Sequence, residues 1–416
     1  MMPEKERSSP LAMTSSRPGP AHPAANPTLR ILAVVLFNLI CYVDIGLPLA
    51  VIPVFVHGTL GYNTVVAGLA VSLQYLATFA SRAQAGRFVD GRGAKPAVMI
   101  GLATCVAAGV ALMLAGLLSG HAVPSVLLLI TSRILMGVGE SWTATGAILW
   151  NIGRVGAERT AQVISWNGIT SYGGIAFGAP VGALLSQLAP PMGGLAGVGL
   201  LSAVLPAAGL VLATRYAPVP PMTKGETMPF SQVFWRVLPY GIVLACGSVG
   251  FGAISACLSL YFADRHWDGA ALALMMFGVV FVMVRLLFSR QIGLRGGRTV
   301  AIVSLLVEVA GLLILWRSSG VPAADLGAAL TGAGFSLVFP ALGVEAVTRA
   351  GPQNRGAALG AFSVFLDIGI GISGPMLGLV INSLGYGPMF LASALFTGAG
   401  VGATVLLRGG ARRGTP

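Results

Sequence analysis

The chain has 416 residues, 55% of them hydrophobic and only 9% charged, with a mean hydropathy of +0.85. Soluble domains carry roughly a quarter charged residues, so a soluble enzyme or binding domain is excluded and an integral membrane protein is expected. The formal net charge of +12 would suit nucleic acid, but the basic residues fall between apolar runs and form no aromatic-interleaved patch, so no nucleic-acid partner is expected.

The first 29 residues are rich in Pro and Ser and read as a disordered tail without a signal-peptide core of their own. Apolar segments then recur at 31–56, 63–82, 96–119, 124–150, 160–187 and 192–214. After a polar linker at 215–236 they resume at 237–263, 268–291, 298–316, 322–348, 356–382 and 386–408, ahead of a short tail at 409–416. Each is long enough to cross a hydrocarbon core about 30 Å thick. The expected fold is an all-α membrane protein with twelve transmembrane helices in two six-helix bundles, 30–214 and 237–408.

All of the 25 Lys and Arg except Arg133, Arg265, Arg285 and Arg317 lie in the tails or in loops on one side of such a topology. The positive-inside rule then puts both termini in the cytoplasm. The bundles also echo one another. Gly137-Val-Gly139-x-Ser141 recurs 195 positions later as Gly332-Ala-Gly334-x-Ser336, and Pro180 recurs at the same offset as Pro375. Paired six-span repeats are the plan of transporters that bind substrate between two halves.

The second and third spans are joined by Gly86-Arg-Phe-Val-Asp-Gly-Arg-Gly-Ala-Lys95, which reads as a charged hairpin. Gly86, Gly91 and Gly93 suit a tight turn, and Asp90 can cap a helix end or pair with Arg87 or Arg92. The Gly-x-x-x-Asp-x-x-Gly-x-Lys pattern from Gly86 to Lys95 resembles a signature of the major facilitator superfamily. That resemblance implies a cytoplasmic staple, built on Gly86, Arg87, Asp90, Arg92, Gly93 and Lys95, that helps gate alternating access. Gly91 stands where the family usually has a basic residue.

Ionisable side chains inside a membrane span cost about 2.5–3.5 kcal/mol each on insertion scales, so each needs a partner or a task. Asp44 lies mid-way along the first span, two residues after Tyr42 and close to Pro48 and Pro53, whose missing N–H groups leave a polar notch. A carboxylate short of water there suits reversible proton or substrate binding; helix packing is the alternative. Arg133 and Glu140 lie seven residues apart on the fourth span and so share a face. Arg133-x-x-x-Gly-x-Gly139 resembles a second superfamily signature, in which the Arg takes part in proton transfer; Glu140 or Asp44 is its expected counter-ion, and a structural ion pair is the alternative. Gly174, Gly178, Pro180 and Gly182 on the fifth span resemble the glycine–proline signature of antiporter branches, which implies close packing between halves and a bend. Asp367 precedes Gly374-Pro375 by two turns on the eleventh span and is expected, with Tyr42, to line the substrate path. Arg285 reads as snorkelling to the cytoplasmic face, and Glu308 as a packing contact.

Cys41, Cys105, Cys246 and Cys257 fall in apolar runs and read as small hydrophobes. The four His residues fall in tails or loops, so neither a metal site nor a catalytic triad is expected, and no phosphate-binding Gly-x-x-x-x-Gly-Lys-[Ser/Thr] loop is present. No cofactor is expected, and the partners are the lipid bilayer, a small-molecule substrate and protons. Cys41-Tyr-x-Asp-x-Gly-Leu-Pro-Leu-Ala50 and Gly139-Glu-Ser141 are similar to the YhhS-type branch of bacterial inner-membrane carriers. The resulting expectation is a monomeric secondary transporter of the bacterial inner membrane, exporting small organic molecules by proton antiport. A proton symporter for sugar or another nutrient is the alternative, and a polytopic membrane enzyme or receptor a remote one.

Overall fold

The computed structural model describes residues 27–156, 159–188, 193–220, 229–350 and 355–407. The tails expected at 1–29 and 409–416 and the middle of the 215–236 linker lie largely outside the described residues. The elements are α1 (Pro27–Gly46), α2 (Ile52–Val54), α3 (Thr64–Arg92), α4 (Ala94–Leu117), α5 (Ala122–Val155), α6 (Thr160–Ser186) and α7 (Gly194–Thr214). They continue as α8 (Phe230–Asp264), α9 (Ala270–Phe288), α10 (Arg290–Arg295), α11 (Gly297–Arg317), α12 (Val321–Ala350), α13 (Arg355–Leu384) and α14 (Tyr386–Leu406). Among the described residues, 11 helices are long and apolar enough to cross a membrane, and the apolar α1 is shorter. Leucines such as Leu184, Leu379 and Leu395 are exposed on helix exteriors, as a lipid-facing surface requires.

Three expectations are corrected. The first span does not run unbroken over 31–56: the helix stops at Gly46, and after a turn at 47–50 it resumes as α2 and a π-turn, Phe55–Thr59. Pro48 and Pro53 cannot donate to the helical ladder, which is why the break falls here. The charged hairpin is almost all helix. Gly86 and Gly91 lie within α3, and the reversal is made at Gly93 alone, whose φ of +95° is open to glycine. The linker expected to reach 236 gives way to α8 at Phe230.

The helix pairings recur along the chain. α4 packs on α5 and α7, α3 on α5, and α1 on α6; correspondingly α11 packs on α12 and α14, α9 on α12, and α8 on α13. The repeated glycines follow this scheme. Gly137 abuts the α3 backbone at Gln74 and Gly332 the α9 backbone at Phe277, while Gly139 faces Cys105 of α4 and Gly334 faces Glu308 of α11. Small residues let backbones approach, and that closeness is what holds helices together where lipid removes the hydrophobic drive.

Between α1–α7 and α8–α14 the main contacts are α3 with α13 and α6 with α9, supplemented by α8 against α2 and α3. At the start of α3, the Thr64 hydroxyl lies 2.5 Å from Asn382 Oδ1 and 3.2 Å from the Gly378 carbonyl. One turn on, a Cβ on Gly68 would meet the Gly374 carbonyl oxygen at 2.5 Å, so only glycine fits. On the other seam, the Tyr172 and Phe281 rings stack with centroids 3.8 Å apart.

Candidate functional site

Polar side chains gather where α1, α3 and α5 come together, and Glu140 of α5 is their hub. The Tyr42 hydroxyl donates to its Oε1 at 3.0 Å. Gln74 Nε2 and the Thr78 hydroxyl each lie 3.1 Å from Oε2. Arg133 is not the direct partner of Glu140. Its Nη1 donates to Gln74 Oε1 at 2.9 Å, so one amide answers the guanidinium with its carbonyl and the carboxylate with its NH2. An amide is the residue type that can face both ions in this way. The expected Arg133–Glu140 ion pair is thus replaced by an Arg133–Gln74–Glu140 relay. Seven residues advance a helix by about two turns, roughly 10 Å, too far for the two heads to meet without a bridge.

Gln74, Thr78 and Arg82 follow at four-residue steps and present one face of α3. Arg82 carries this polar row to the second set of helices: its Nη2 and Nε reach Asp367 Oδ2 of α13 at 2.7 Å and 2.8 Å. This ion pair spans the seam. Arg82 was read from sequence as a loop residue because the apolar run ends there; the four-residue spacing from Gln74 was the signal available. Asp367 is 2% exposed and faces Arg82.

Asp44 lies apart from this hub. It is fully buried, and neither carboxyl oxygen has a hydrogen-bond partner. Its polar neighbours are Ser202 of α7, whose hydroxyl is also unpartnered, and the charge of Arg133, whose Nε is likewise unpartnered. One turn earlier, the Cys41 and Cys105 sulfurs sit 3.9 Å apart as free thiols. Asp44 and Glu140 therefore flank Arg133 from two sides. One carboxyl is without a donor and the other is surrounded by donors.

The model of the Major Facilitator Superfamily matches residues 34–295. The chain belongs to the major facilitator superfamily. An uncharacterized MFS-type transporter of Burkholderia pseudomallei (strain 1106a) is 51% identical over 380 residues, covering 91% of this chain and 92% of that one. One from Pseudomonas aeruginosa (strain LESB58) is 47% identical over 388 residues, covering 93% and 95%. In fold, the chain resembles the human organic anion transporter MFSD10 with a TM-score of 0.69, covering 91% of this chain and 100% of that one. At 14% identity this likeness shows the fold alone. As a member of the superfamily, the chain is a multi-pass membrane protein and a secondary transporter of small molecules.

The remaining signature residues of this superfamily member go to definite places. Lys95 donates to the carbonyls of Thr214 and Tyr216 at 3.0 Å and 2.7 Å, tying the α3–α4 turn to the end of α7. Arg92 lies over the Phe88 ring at 5.3 Å, Arg87 is exposed, and Asp90 sits in the last turn of α3 with a partner of its own. Gly174, Gly178 and Gly182 do not pack between halves. They receive the α1 backbone at Tyr42 and Val43 and the turn after it at Leu47, and a Cβ on Gly182 would fall 1.7 Å from the Leu47 carbonyl oxygen. Their four-residue period makes one flat stripe, and α1 is the helix that lies in it. α6 and α13 run through Pro180 and Pro375 as continuous helices. Gly374 does cross the seam, against Gly68 and Ser72.

Two other charged residues complete the interior. Arg285 does not snorkel to the surface: it is 5% exposed and its Nη1 donates to the Ser336 carbonyl at 3.3 Å. Glu308 is fully buried beside Gly250 and Gly334, and neither of its oxygens is hydrogen-bonded. Sequence reasoning also passed over Asn38, whose amide donates to Asn167, Thr170 and Ser171 of α6 and fixes α1 against it. Among the described residues no group of three His, Cys, Asp or Glu is placed to hold a metal.

Proposed function

We propose that this chain is a proton-coupled exporter of small organic molecules. It works by alternating access between two six-helix halves, 30–214 and 237–408, with both termini in the cytoplasm. Asp44 carries the proton. The observation behind this assignment is the contrast between the two N-terminal carboxylates: Glu140 accepts from Tyr42, Gln74 and Thr78, whereas Asp44 has the Ser202 hydroxyl nearby but no donor within hydrogen-bond distance. A buried carboxyl without a donor beside an always-charged guanidinium has two workable states. In one it is neutral; in the other it is ionised and held by Arg133.

Coupling follows from connectivity. Arg133 reaches Glu140 through Gln74, Glu140 holds Tyr42, and the same face of α3 carries Arg82 to Asp367. Loading or unloading Asp44 changes the charge that Arg133 must answer, and hence its hold on Gln74 and on α3. The seams along α3 and α13 are closed from Thr64–Asn382 to Arg82–Asp367, which supports a state sealed at the end away from the termini. Placement in the YhhS-type branch rests on Cys41–Ala50 and Gly139–Ser141.

The test is proton flux in proteoliposomes under an imposed pH gradient, with a panel of candidate compounds, for the wild type and Asp44→Asn. Compound-dependent proton release in the wild type alone is the expected outcome. Equal coupled exchange in the variant would remove Asp44 from the mechanism. Protons and compound moving in the same direction would make the protein a symporter.

A further inference from the structure

We infer that Arg285 anchors the anionic group of the substrate, which is an organic anion carrying a carboxylate, phosphonate or sulfonate on a flat apolar body. This rests on the transporter reading above and adds a substrate class to it. Arg82 and Arg133, the other basic residues of the seam and the hub, have their charges answered within the chain. Arg82 is paired with Asp367, and Arg133 bonds Gln74 with Asp44 as its neighbouring carboxyl. Arg285 is as buried as Arg133, but unlike Arg133 it has neither a side-chain amide bonded to it nor a carboxyl group among its neighbouring charges. The acceptor recorded for its guanidinium is the neutral Ser336 carbonyl at 3.3 Å, so most of its planar fork of N–H donors is open. A guanidinium cannot discard its proton to escape burial; the Phe281 ring, 5.8 Å from Cζ, answers part of the charge, and an anion from outside the chain would answer the rest.

Its position is the second argument. Arg285 belongs to α9, and its guanidinium lies against α6 of the other half: a Cβ on Gly168 would sit 2.9 Å from Cζ and 3.0 Å from Nη2. One turn along α6, the half-buried Tyr172 stacks on Phe281 and has the rings of Phe251 and Phe335 edge-on at 5.8 Å and 6.0 Å. Tyr172 also lies within electrostatic range of Arg285 and of the carboxyl groups Glu140 and Asp367. The fork matches a planar or tetrahedral oxyanion, and the half-buried Tyr172, backed by the fully buried Phe281, Phe251 and Phe335, is the adjoining ring that can meet a flat apolar body. Because the site is shared between α6 and α9, an anion bound there touches both sides of a seam that must part during transport. Glu140 and Asp367, near Tyr172, disfavour a second negative charge on the substrate.

The test uses purified protein in lipid nanodiscs and three probes of one shape: 1-naphthoate, neutral 1-naphthamide and cationic 1-naphthylmethylamine. Binding is read by titration calorimetry. The wild type is expected to prefer the acid to the amide by at least about tenfold, and Arg285→Gln to lose that preference. Gly168→Ala moves the guanidinium without deleting it, so it should weaken the acid and spare the amide. A merely structural arginine would change thermal stability and leave discrimination intact. Equal binding of acid and amide, a preference that survives Arg285→Gln, or no binding by any probe to folded wild type would each overturn the inference. Flux of 1-naphthoate in proteoliposomes separates this from the transporter reading. Arg285-dependent binding without movement under any gradient keeps the anion site and removes the transport role, whereas movement that Arg285→Gln leaves unchanged removes the site alone.

Discussion

Asp367→Asn should loosen the seam between α3 and α13. In the closed arrangement Arg82 makes two contacts to Asp367 Oδ2, at 2.7 Å and 2.8 Å, with side-chain exposures of 23% for Arg82 and 3% for Asp367. Removing one partner of a fully buried pair costs about 3–5 kcal/mol. Water already reaches Arg82 and the amide keeps one acceptor, so about 2 kcal/mol is the appropriate figure here. That shifts the closed–open equilibrium about 30-fold towards open. The open fraction is read directly by labelling a cysteine hidden in the seam. Ser72 is 1% exposed against Ile370 and Gly374, and Cys246 is the native cysteine that is not fully buried. With Ser72→Cys in a Cys246→Ala background, the rate of reaction with a water-soluble maleimide should rise about 30-fold on adding Asp367→Asn, as long as the closed state dominates. The charge swap Arg82→Asp with Asp367→Arg should bring the rate back towards its starting value. A rate within about twofold of the parent would mean that the pair does not hold the seam, and the gating argument would fall.

The two N-terminal carboxylates should respond differently to neutralisation. Asp44→Asn removes no existing hydrogen bond, so the apparent thermal midpoint in detergent should hold while coupled proton flux falls at least about tenfold. Glu140→Gln presents an NH2 group to the donors of Tyr42, Gln74 and Thr78 and should cost about 2 kcal/mol, seen as a lower midpoint. Gly182→Ala would drive a methyl into the Leu47 carbonyl and should destabilise by about 3 kcal/mol; Gly402→Ala, with nothing within 4 Å, should stabilise by up to about 1 kcal/mol. At the α3–α4 turn, Gly93→Ala should cost about 1–2 kcal/mol because of its φ of +95°. Gly86→Ala, at an open helical position, should be neutral or slightly stabilising; a loss of folded protein with Gly86→Ala would restore the tight-turn reading.

Much of the architecture was legible in the chain because lipid imposes a simple rule: a crossing backbone must satisfy its own hydrogen bonds, so long apolar runs become helices. The runs beginning near Thr64, Ala94, Gly194, Gly297 and Tyr386 therefore announce the starts of α3, α4, α7, α11 and α14 to within a few residues. Helix ends were less legible where polar residues continue a helix beyond the apolar run, as from Arg82 to Arg92 in α3 and from Phe230 in α8. Hydropathy reports the solvent a residue meets, whereas the helical ladder stops only where geometry fails, at Gly93 or before Pro48.

Within the candidate site, sequence alone singled out Asp44, Arg133, Glu140 and Asp367, since a charge in an apolar run is costly wherever it points. Partnership depended on which face of each helix meets which neighbour, and that is fixed by packing. Gln74 came between Arg133 and Glu140, Arg82 was joined to Asp367 across 285 positions, and Arg285 was turned inward without a counter-ion. Composition determined that this chain lives in a membrane and which residues would be costly there. Only the packing of helices distant in sequence decided which of those costs are met inside the protein and which are left for a proton or a substrate to meet.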